Sequence, residues 1–277
     1  MSECTHNCDT CIANCSSKSS QIEKLKLGKG CAIKKIIGIS SGKGGVGKSF
    51  VTSLLAAGLK KKGHTVGILD ADILGPSIPK SFGITDRFIV ANGEGLMIPK
   101  ETPSGIKIMS SNLLLQDDSE PIIYRGSLIS SLLSQFYSES NWGELDFLLI
   151  DMPPGTGDVP LTTYQMIPID KVVIVSTPQD LVSMIVKKSI NMANAMNISI
   201  MGIIENMSYV VCPKCDEKIE IFGKSDIDSV AKENNTKVLA KMPMRVEYAK
   251  MVDDGKIEEI EVHEIEDAVK QLSELLK

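Results

Sequence analysis

Residues 34–49 read KKIIGISSGKGGVGKS, an apolar run that passes directly into a glycine-rich loop. The apolar run predicts a buried strand over residues 34–41, and residues 50–62, after the loop, have the apolar spacing of a helix. The loop matches the pattern G-x-x-x-x-G-K-[ST], which is credible when it lies between a strand and a helix. This stretch therefore predicts a phosphate-binding loop in an α/β domain.

The residue types of this loop suit a nucleoside triphosphate. Backbone N–H groups of glycines can close around phosphate oxygens because no Cβ blocks their approach, and the following helix adds its N-terminal dipole. We expect Lys48 to reach the β- and γ-phosphates and Ser49 Oγ to ligate Mg²⁺. The predicted nucleotide-binding residues of the loop are Gly42, Lys43, Gly44, Gly45, Val46, Gly47, Lys48 and Ser49.

Strands and helices alternate along the rest of the chain. Apolar runs predict further strands over residues 65–70, 106–110, 146–151, 171–176, 198–205 and 238–240. Helical spacing covers residues 127–139 and 181–195. This alternation is typical of βαβ units, so we predict an α/β fold with a mostly parallel sheet and helices on both faces.

Three aspartates follow predicted strands, where the ligands of such sheets bind. Asp70 and Asp72 lie in LDADILGPSIP, and Asp151 ends the strand in DFLLIDMPPGTGD. A carboxylate at these positions can hold Mg²⁺ beside a bound triphosphate. An aspartate at a strand end can also cap a helix or a turn, and we assign that structural role to Asp86 and Asp170.

The composition excludes several classes of protein. Hydrophobic residues make up 43% and charged residues 23%, as in globular proteins, and the net charge of −5 provides no positive field for nucleic acid. No apolar run approaches the roughly 18 to 20 residues of a membrane helix, and the N-terminus has no apolar signal segment. We expect a cytoplasmic protein in a reducing compartment, without nucleic-acid or membrane partners.

The late cysteine pair indicates a metal site. In a reducing compartment, clustered cysteines are metal ligands more often than disulfides. Cys212 and Cys215 form C-P-K-C, two thiolates on one tight turn, whereas zinc or a [4Fe–4S] cluster takes four ligands. A second chain related by a twofold axis would supply the missing pair. Completion by other cysteines of the same chain and a redox role are the alternatives.

The N-terminal segment differs in composition from the rest of the chain. Residues 1–32 are rich in Cys, Ser, Asn and Lys, and we predict a flexible arm ahead of a domain over residues 33–277. The arm carries four cysteines spaced C-x3-C-x2-C-x3-C, namely Cys4, Cys8, Cys11 and Cys15. They suit a second [4Fe–4S] cluster, zinc or free regulatory thiols. Cys31 is expected to be a structural thiol.

A second lysine in the loop narrows the class of nucleotide-binding proteins. GKGGVGK resembles the deviant loop of the MinD and nitrogenase-iron-protein class of P-loop ATPases. In that class the extra lysine, here Lys43, reaches the nucleotide of a dimer partner and stabilises transition-state charge, as an arginine finger does. The resemblance implies catalytic roles for Lys43, Lys48 and Asp72, with Asp72 organising the attacking water.

The same resemblance assigns the remaining residues of the site. Asp70 and Asp72 match the switch I segment, and Asp151 matches the Walker B aspartate, so Ser49, Asp70 and Asp151 are the expected Mg²⁺ ligands. Asn206 matches the position that contacts the adenine of the nucleotide. An asparagine at a strand end is also a common turn residue.

Longer motifs make the resemblance more specific. The chain resembles the Mrp/ApbC/Nbp-type iron–sulfur cluster carrier ATPases, because it carries six of their motifs in the same order. These motifs are GKGGVGKS, DADILGPSIP, YRG at 124–126, DMPPGTGD, STPQD at 176–180 and ENMSYVVCPKC. The resemblance implies a homodimer that binds ATP. We expect slow hydrolysis, because nothing in the sequence marks a strong general base beside the γ-phosphate. The resemblance also implies a labile [4Fe–4S] cluster bridged by Cys212 and Cys215 of two chains, in an element over residues 207–222, which is passed to apo-proteins.

Two other functions are weighed against this one. A MinD- or ParA-like positioning ATPase would use the same switch to dock on a membrane or DNA. However, residues 247–277 carry ten acidic and four basic side chains, and a membrane-surface helix needs the opposite charge. An electron-transfer protein similar to the nitrogenase iron protein also bridges a cluster across a dimer, but its cysteines lie in different sequence contexts.

Overall fold

The structure is a computed structural model that describes residues 23–73, 75–86, 88–114, 126–179 and 182–277. Several residues singled out from the sequence lie outside these ranges. They are Cys4, Cys8, Cys11 and Cys15 of the N-terminal arm, together with Tyr124, Arg125 and Asp180.

A mixed, mostly parallel sheet forms the centre of the described part of the chain. Its strands are β1 (Ala32–Ser40), β2 (Val66–Asp70), β3 (Lys100–Glu101), β4 (Lys107–Met109), β5 (Glu144–Asp151), β6 (Lys171–Ser176), β7 (Ser199–Val211), β8 (Lys218–Ile219) and β9 (Val238–Pro243). They are ordered β3-β4-β2-β5-β1-β6-β7-β8, and β9 also pairs with β7. Among these strands only the β3–β4 and β7–β8 pairs are antiparallel, which confirms the predicted sheet.

Helices cover both faces of this sheet, as predicted. They are α1 (Lys48–Lys61), α2 (Ile78–Ser81), α3 (Gly126–Ser138), α4 (Asp158–Met166), α5 (Val182–Ala195), α6 (Ile227–Glu233), α7 (Val246–Asp253) and α8 (Glu266–Ser273). Short 3₁₀ turns are formed by Ser111–Leu114, Ile257–Glu259, His263–Ile265 and Glu274–Leu276. None of the helices in the described ranges has the length and apolar character that crossing a membrane requires.

The two faces bury separate apolar clusters because successive strand side chains point to opposite sides. Ile37 of β1 lies in the cluster beneath α1, α7 and α8. Its neighbour Ile36 lies in the cluster beneath α3, α4, α5 and α6. Both sides of the central strands are therefore covered, and all five residues of β2 are buried. Burial on both faces explains why these strands have continuous apolar sequences without alternation.

Strand β7 differs most from its prediction. The apolar run predicts its end at residue 205, but the strand continues to Val211. A break in its register with β9 lies between Glu205 and Tyr209, and beyond this bulge Val210 and Val211 pair with β8. Asn206 therefore lies inside a strand and not at its end. Strands β3 and β8 were not predicted because two residues are too few to show a period.

Residues 23–31, which the composition assigns to the flexible arm, are attached to the domain. The N–H of Leu25 donates to the carbonyl of Met166 at 2.8 Å, at the end of α4. Leu25, Leu27 and Cys31 pack against the apolar cluster beneath α4. Cys31 is half-buried, and its Sγ lies 3.6 Å from the carbonyl oxygen of Ser140. Backbone hydrogen bonding and a few apolar contacts therefore attach this segment to the domain.

Candidate functional site

The glycine-rich loop joins the carboxyl end of β1 to the first turn of α1. Gly45 and Gly47 have φ angles of +78° and +79°, in the left-handed region that glycine adopts without strain. Gly47 has a second reason to be glycine, since a Cβ there would lie 2.2 Å from Nδ2 of Asn206. Gly42 packs against α5, where a Cβ would lie 2.2 Å from the side chain of Ile185. Backbone geometry and close packing therefore both fix the loop.

A cavity of about 330 Å³ opens between this loop and the segment that follows β2. It is bordered by α2 on one side and by Pro154, in the loop after β5, on another. The residues predicted from the sequence that line it are Gly44, Gly45, Gly47, Lys48, Ser49 and Asp72. The fold thus brings the phosphate loop and the segment containing Asp72 to one space at the carboxyl edge of the sheet.

The Lys48 side chain lies beneath the loop with only 6% of its surface exposed. Its Nζ lies 2.9 Å from Oδ2 of Asp151 and 3.9 Å from Oδ2 of Asp72, so it is paired electrostatically with both. The 2.9 Å approach does not have the direction of a hydrogen bond, and Nζ has no hydrogen-bond partner among the described residues. A buried ammonium with unused donors fits the oxygens of a phosphate group.

Asp151 is completely buried at the end of β5. Its Oδ2 accepts a hydrogen bond of 2.5 Å from Ser49 Oγ, and its Oδ1 lies 2.8 Å from Oγ1 of Thr52. A hydroxyl and a carboxylate side by side are the hard oxygen ligands that Mg²⁺ takes. Ser49 and Asp151 therefore fit the predicted metal site. Thr52 was not predicted, although its hydroxyl lies one helical turn after Lys48 on the buried face of α1.

Asp70 lies beside Asp151, because these two residues are opposite one another in the β2–β5 register. Ser110 Oγ donates to Asp70 Oδ2 at 2.9 Å, and the N–H of Asp72 donates to Oδ1 at 3.3 Å. Burial, and then the charge of Asp151, raise the pKa of Asp70 to about 8. Burial therefore favours the neutral form of Asp70, whose contacts are with Ser110 and the Asp72 segment. Burial also raises the pKa of Asp72.

We predict that Asp70→Asn will flatten the pH dependence of stability in the nucleotide-free protein. Asp70 has a folded-state pKa of about 8 and an ordinary value of 3.8, so the folded state binds more protons between these pH values. Wild-type stability should fall as pH rises through this window, by at most about 1.4 kcal/mol per pH unit from this group. Denaturant titrations between pH 5 and pH 8 measure the difference.

The matched control for this prediction is Asp86→Asn. Asp86 is exposed, and the hydrogen bond from Lys100 lowers its pKa, so it is ionised in both states above pH 5. Its stability difference from wild type should not change between pH 5 and pH 8. Parallel pH profiles of Asp70→Asn and wild type would contradict the assignment of a neutral Asp70.

Lys43 and Asn206 connect the loop to the segment after β6 and to β7. The Lys43 ammonium donates to Oε1 of Gln179, in the segment after β6. Asn206 is buried, and its Nδ2 donates to the carbonyl oxygen of Val46 at 2.9 Å. The next residue, Met207, has a φ of +56°, an uncommon conformation for a residue other than glycine. The described contact of Asn206 is therefore with the loop backbone, and its contact with adenine stays a prediction.

The cysteine pair lies on the hairpin between β7 and β8. The N–H of Cys212 donates to the carbonyl of Glu217 at 2.9 Å, and Asp216 closes the turn with a φ of +57°. The backbone N–H of Lys214 and then the thiol of Cys215 lower the pKa of Cys212. More of this thiol is therefore ionised at neutral pH, and the thiolate is the form that binds metal.

Within the described ranges, no group of three or more His, Cys, Asp or Glu side chains is placed to hold a metal ion. Cys212 is half-buried and Cys215 is exposed, so both sulfurs can be reached from outside. The hairpin therefore presents two thiolates at the surface of one chain. Metals that need four sulfur ligands would find half of a site here.

Large apolar side chains are exposed near the hairpin. Those on and after β8 are Ile219, Ile221 and Phe222, and those after β9 are Met244 and Val246. Val246 is 84% exposed. The N–H of Met244 donates to the carbonyl of Tyr209, and the next residue, Val210, pairs with Ile219. Both groups therefore border the same part of β7.

Sequence comparisons find relatives over most of the chain. A family model described as ParA, NUBPL iron-transfer P-loop NTPase, matches residues 32–277. An iron–sulfur cluster carrier protein of Methanococcus maripaludis is 46% identical over 259 residues, which cover 91% of this chain and 89% of that protein. A protein of the same name from Clostridium perfringens is 46% identical over 233 residues, 82% of each chain.

Solved structures show the same fold. One is a nucleotide-binding protein of Archaeoglobus fulgidus in complex with ADP, in whose structure cobalt was found. It matches with a TM-score of 0.75 and 43% identity. The match covers 83% of this chain and 89% of that one. The cell division ATPase MinD of Pyrococcus furiosus matches with a TM-score of 0.59 at 18% identity, over 88% and 98% of the two chains. The second match supports the fold alone.

Proposed function

This chain belongs to the family of NUBPL-type iron-transfer P-loop NTPases, and from this premise we propose that it carries [4Fe–4S] clusters to apo-proteins as an ATP-hydrolysing homodimer. One observation carries the proposal: a hairpin with two accessible thiols, Cys212 and Cys215, continues from a strand that contacts the phosphate loop. The relatives named iron–sulfur cluster carrier proteins support the same role. We propose that it acts in the cytoplasm.

The nucleotide half of the proposal assigns roles to residues that line the loop cavity. Lys48 binds the β- and γ-phosphate oxygens, for which its buried ammonium has unused donors. Ser49 and Asp151 hold Mg²⁺, with Asp70 beside them. When bound, the metal neutralises charge that develops on the phosphates. Asp72 orients the attacking water at the cavity wall.

The cluster half of the proposal requires a second copy of the chain. Two hairpins related by a twofold axis provide four thiolates, which is the ligand number of a [4Fe–4S] cluster. The second copy would also cover the exposed apolar side chains beside the hairpin, including Val246. In that dimer, Lys43 supplies positive charge to the partner's nucleotide. ATP binding and hydrolysis then change the exposure of the cluster, which is a coupling between two sites.

Anaerobic reconstitution with iron and sulfide tests this function. We use a variant in which Cys4, Cys8, Cys11 and Cys15 are alanine, so that only the hairpin binds a cluster. We expect about two iron atoms per chain, since four are shared by two chains, and a dimer by light scattering. We also expect the cluster to be transferred to an apo-ferredoxin. About four iron atoms on a stable monomer would contradict the bridged cluster.

A further inference from the structure

Glu205 is a buried carboxylate that none of the roles assigned above uses. It lies in β7 with 1% of its surface exposed. Ser208 Oγ donates to its Oε2 at 2.6 Å, and Ser225 Oγ donates to its Oε1. A buried carboxylate is costly unless hydrogen bonds satisfy it, and two hydroxyls meet this need. The chain thus places a carboxyl group with two hydroxyl partners inside the sheet.

The two serines lie at the two ends of the cysteine hairpin. Ser208 precedes the stretch 209–224, which contains Cys212 and Cys215, and Ser225 follows it. Ser225 also accepts a hydrogen bond of 3.2 Å from the N–H of Ile227, at the beginning of α6. One carboxylate therefore closes the base of the hairpin and fastens it to the body of the domain.

The same carboxylate adjoins the contact with the phosphate loop. The next residue along β7, Asn206, donates to the carbonyl of Val46. Asn206, Met207 and Ser208 form the bulge of β7 that begins after Glu205, and Met207 has a φ of +56°. A residue keeps such a conformation only when its surroundings hold it there. The bond from Ser208 to Glu205 spans this residue and holds the bulge closed.

We propose that Glu205 is a positioning residue that transmits the state of the nucleotide loop to the cysteine hairpin. When nucleotide binds, a shift of Val46 moves Asn206 through their hydrogen bond. Asn206 is next to Glu205 along β7, and Glu205 is bonded to both ends of the hairpin, so the two ends move together. Hydrogen bonds from both ends of the hairpin converge on this one side chain. The inference rests on the proposed function, because it concerns how nucleotide and cluster sites communicate.

The alkylation rate of Cys212 tests this role without iron. Iodoacetamide labelling of the iron-free full chain is followed by mass spectrometry of the Cys212 peptide, with and without MgADP. In wild type we expect MgADP to change the rate by about fivefold, at the low end of known coupling between sites. In Glu205→Ala the change should be lost, while calorimetry should give the same affinity for MgADP within about threefold.

Two further variants separate positioning from a general loss of structure. Glu205→Gln should restore the nucleotide effect, because its amide can accept from one serine and donate to the other. Glu220→Ala removes an exposed carboxylate from the same hairpin and should leave the effect unchanged. If Glu205→Ala does not fold, Ser225→Ala removes one of the two bonds and should at least halve the effect.

A nucleotide effect of wild-type size in Glu205→Ala, or in Ser225→Ala where the first variant does not fold, would overturn the proposal. Its absence in wild type would overturn it as well. Neither result depends on cluster binding. Failure of reconstitution with normal coupling at Cys212 would instead count against the carrier function alone.

Discussion

Replacing Cys212 or Cys215 by alanine will abolish labile cluster binding, with at least a tenfold loss of iron per chain, about the change expected when a site loses half its thiolates. Each substitution removes one ligand from each of two chains, so a bridged cluster keeps two of four sulfurs. The affinity for nucleotide should stay within about twofold of the wild-type value. The reason is that the phosphate loop contacts β7 at Asn206, whereas the cysteines lie on the hairpin beyond its end. Iron and sulfide assays and MgADP calorimetry measure the two effects.

The control for this result is Cys31→Ala in the same background. Cys31 is half-buried, and its Sγ contacts the carbonyl of Ser140, away from the hairpin. This variant should keep its cluster, with the four arm cysteines replaced in every protein compared. Normal amounts of labile iron and sulfide in both hairpin variants would show that the cluster lies elsewhere.

The second large effect is expected at the loop lysines, which should behave differently from each other. Lys48→Ala removes a buried ammonium, and charge-assisted hydrogen bonds of this kind are each worth about 1.5–3 kcal/mol. We expect MgATP affinity to fall by about 100-fold, measured by calorimetry. Lys43→Ala should leave affinity nearly unchanged, because Lys43 lies at the loop surface and contacts Gln179. It should instead lower hydrolysis where dimers form.

Phosphate release measured over a range of protein concentrations separates these two roles. Wild-type hydrolysis per chain should rise with concentration as dimers form, and Lys43→Ala should not show this rise. Thermal unfolding of Lys48→Ala is needed beside calorimetry, because the substitution leaves the Asp151 carboxylate buried without its cation. Equal and negligible effects of both substitutions on hydrolysis would refute the assigned roles.

The phosphate loop and the sheet were predictable because their signals are local. The pattern from Gly42 to Ser49 needs only neighbouring residues to form its turn, and α1 begins at Lys48 where the pattern places it. The buried strands are continuous apolar runs, because the sheet is covered on both faces. The same reasoning placed Asp72 and Asp151 at strand ends, and the structure brings both within 4 Å of the Lys48 ammonium.

The remaining features depend on contacts between distant parts of the chain. Asn206 and Val46 are 160 positions apart, and their contact depends on the continuation of β7 through its bulge. Nothing in the sequence distinguishes Thr52 from the other residues of α1, because its contact with Asp151 forms only in the folded chain. The attachment of residues 23–31 depends on backbone groups at the end of α4, which leave no trace in side-chain composition.

The position of the cysteine stretch on β7 has an evolutionary consequence. Residues 213–224 are exposed, and the stretch is bounded by two serines that bind the same carboxylate. Substitutions within residues 213–224 change side chains that face solvent, so we expect them to leave the buried sheet and the phosphate loop intact. Evolution can therefore alter this tip independently of the nucleotide site.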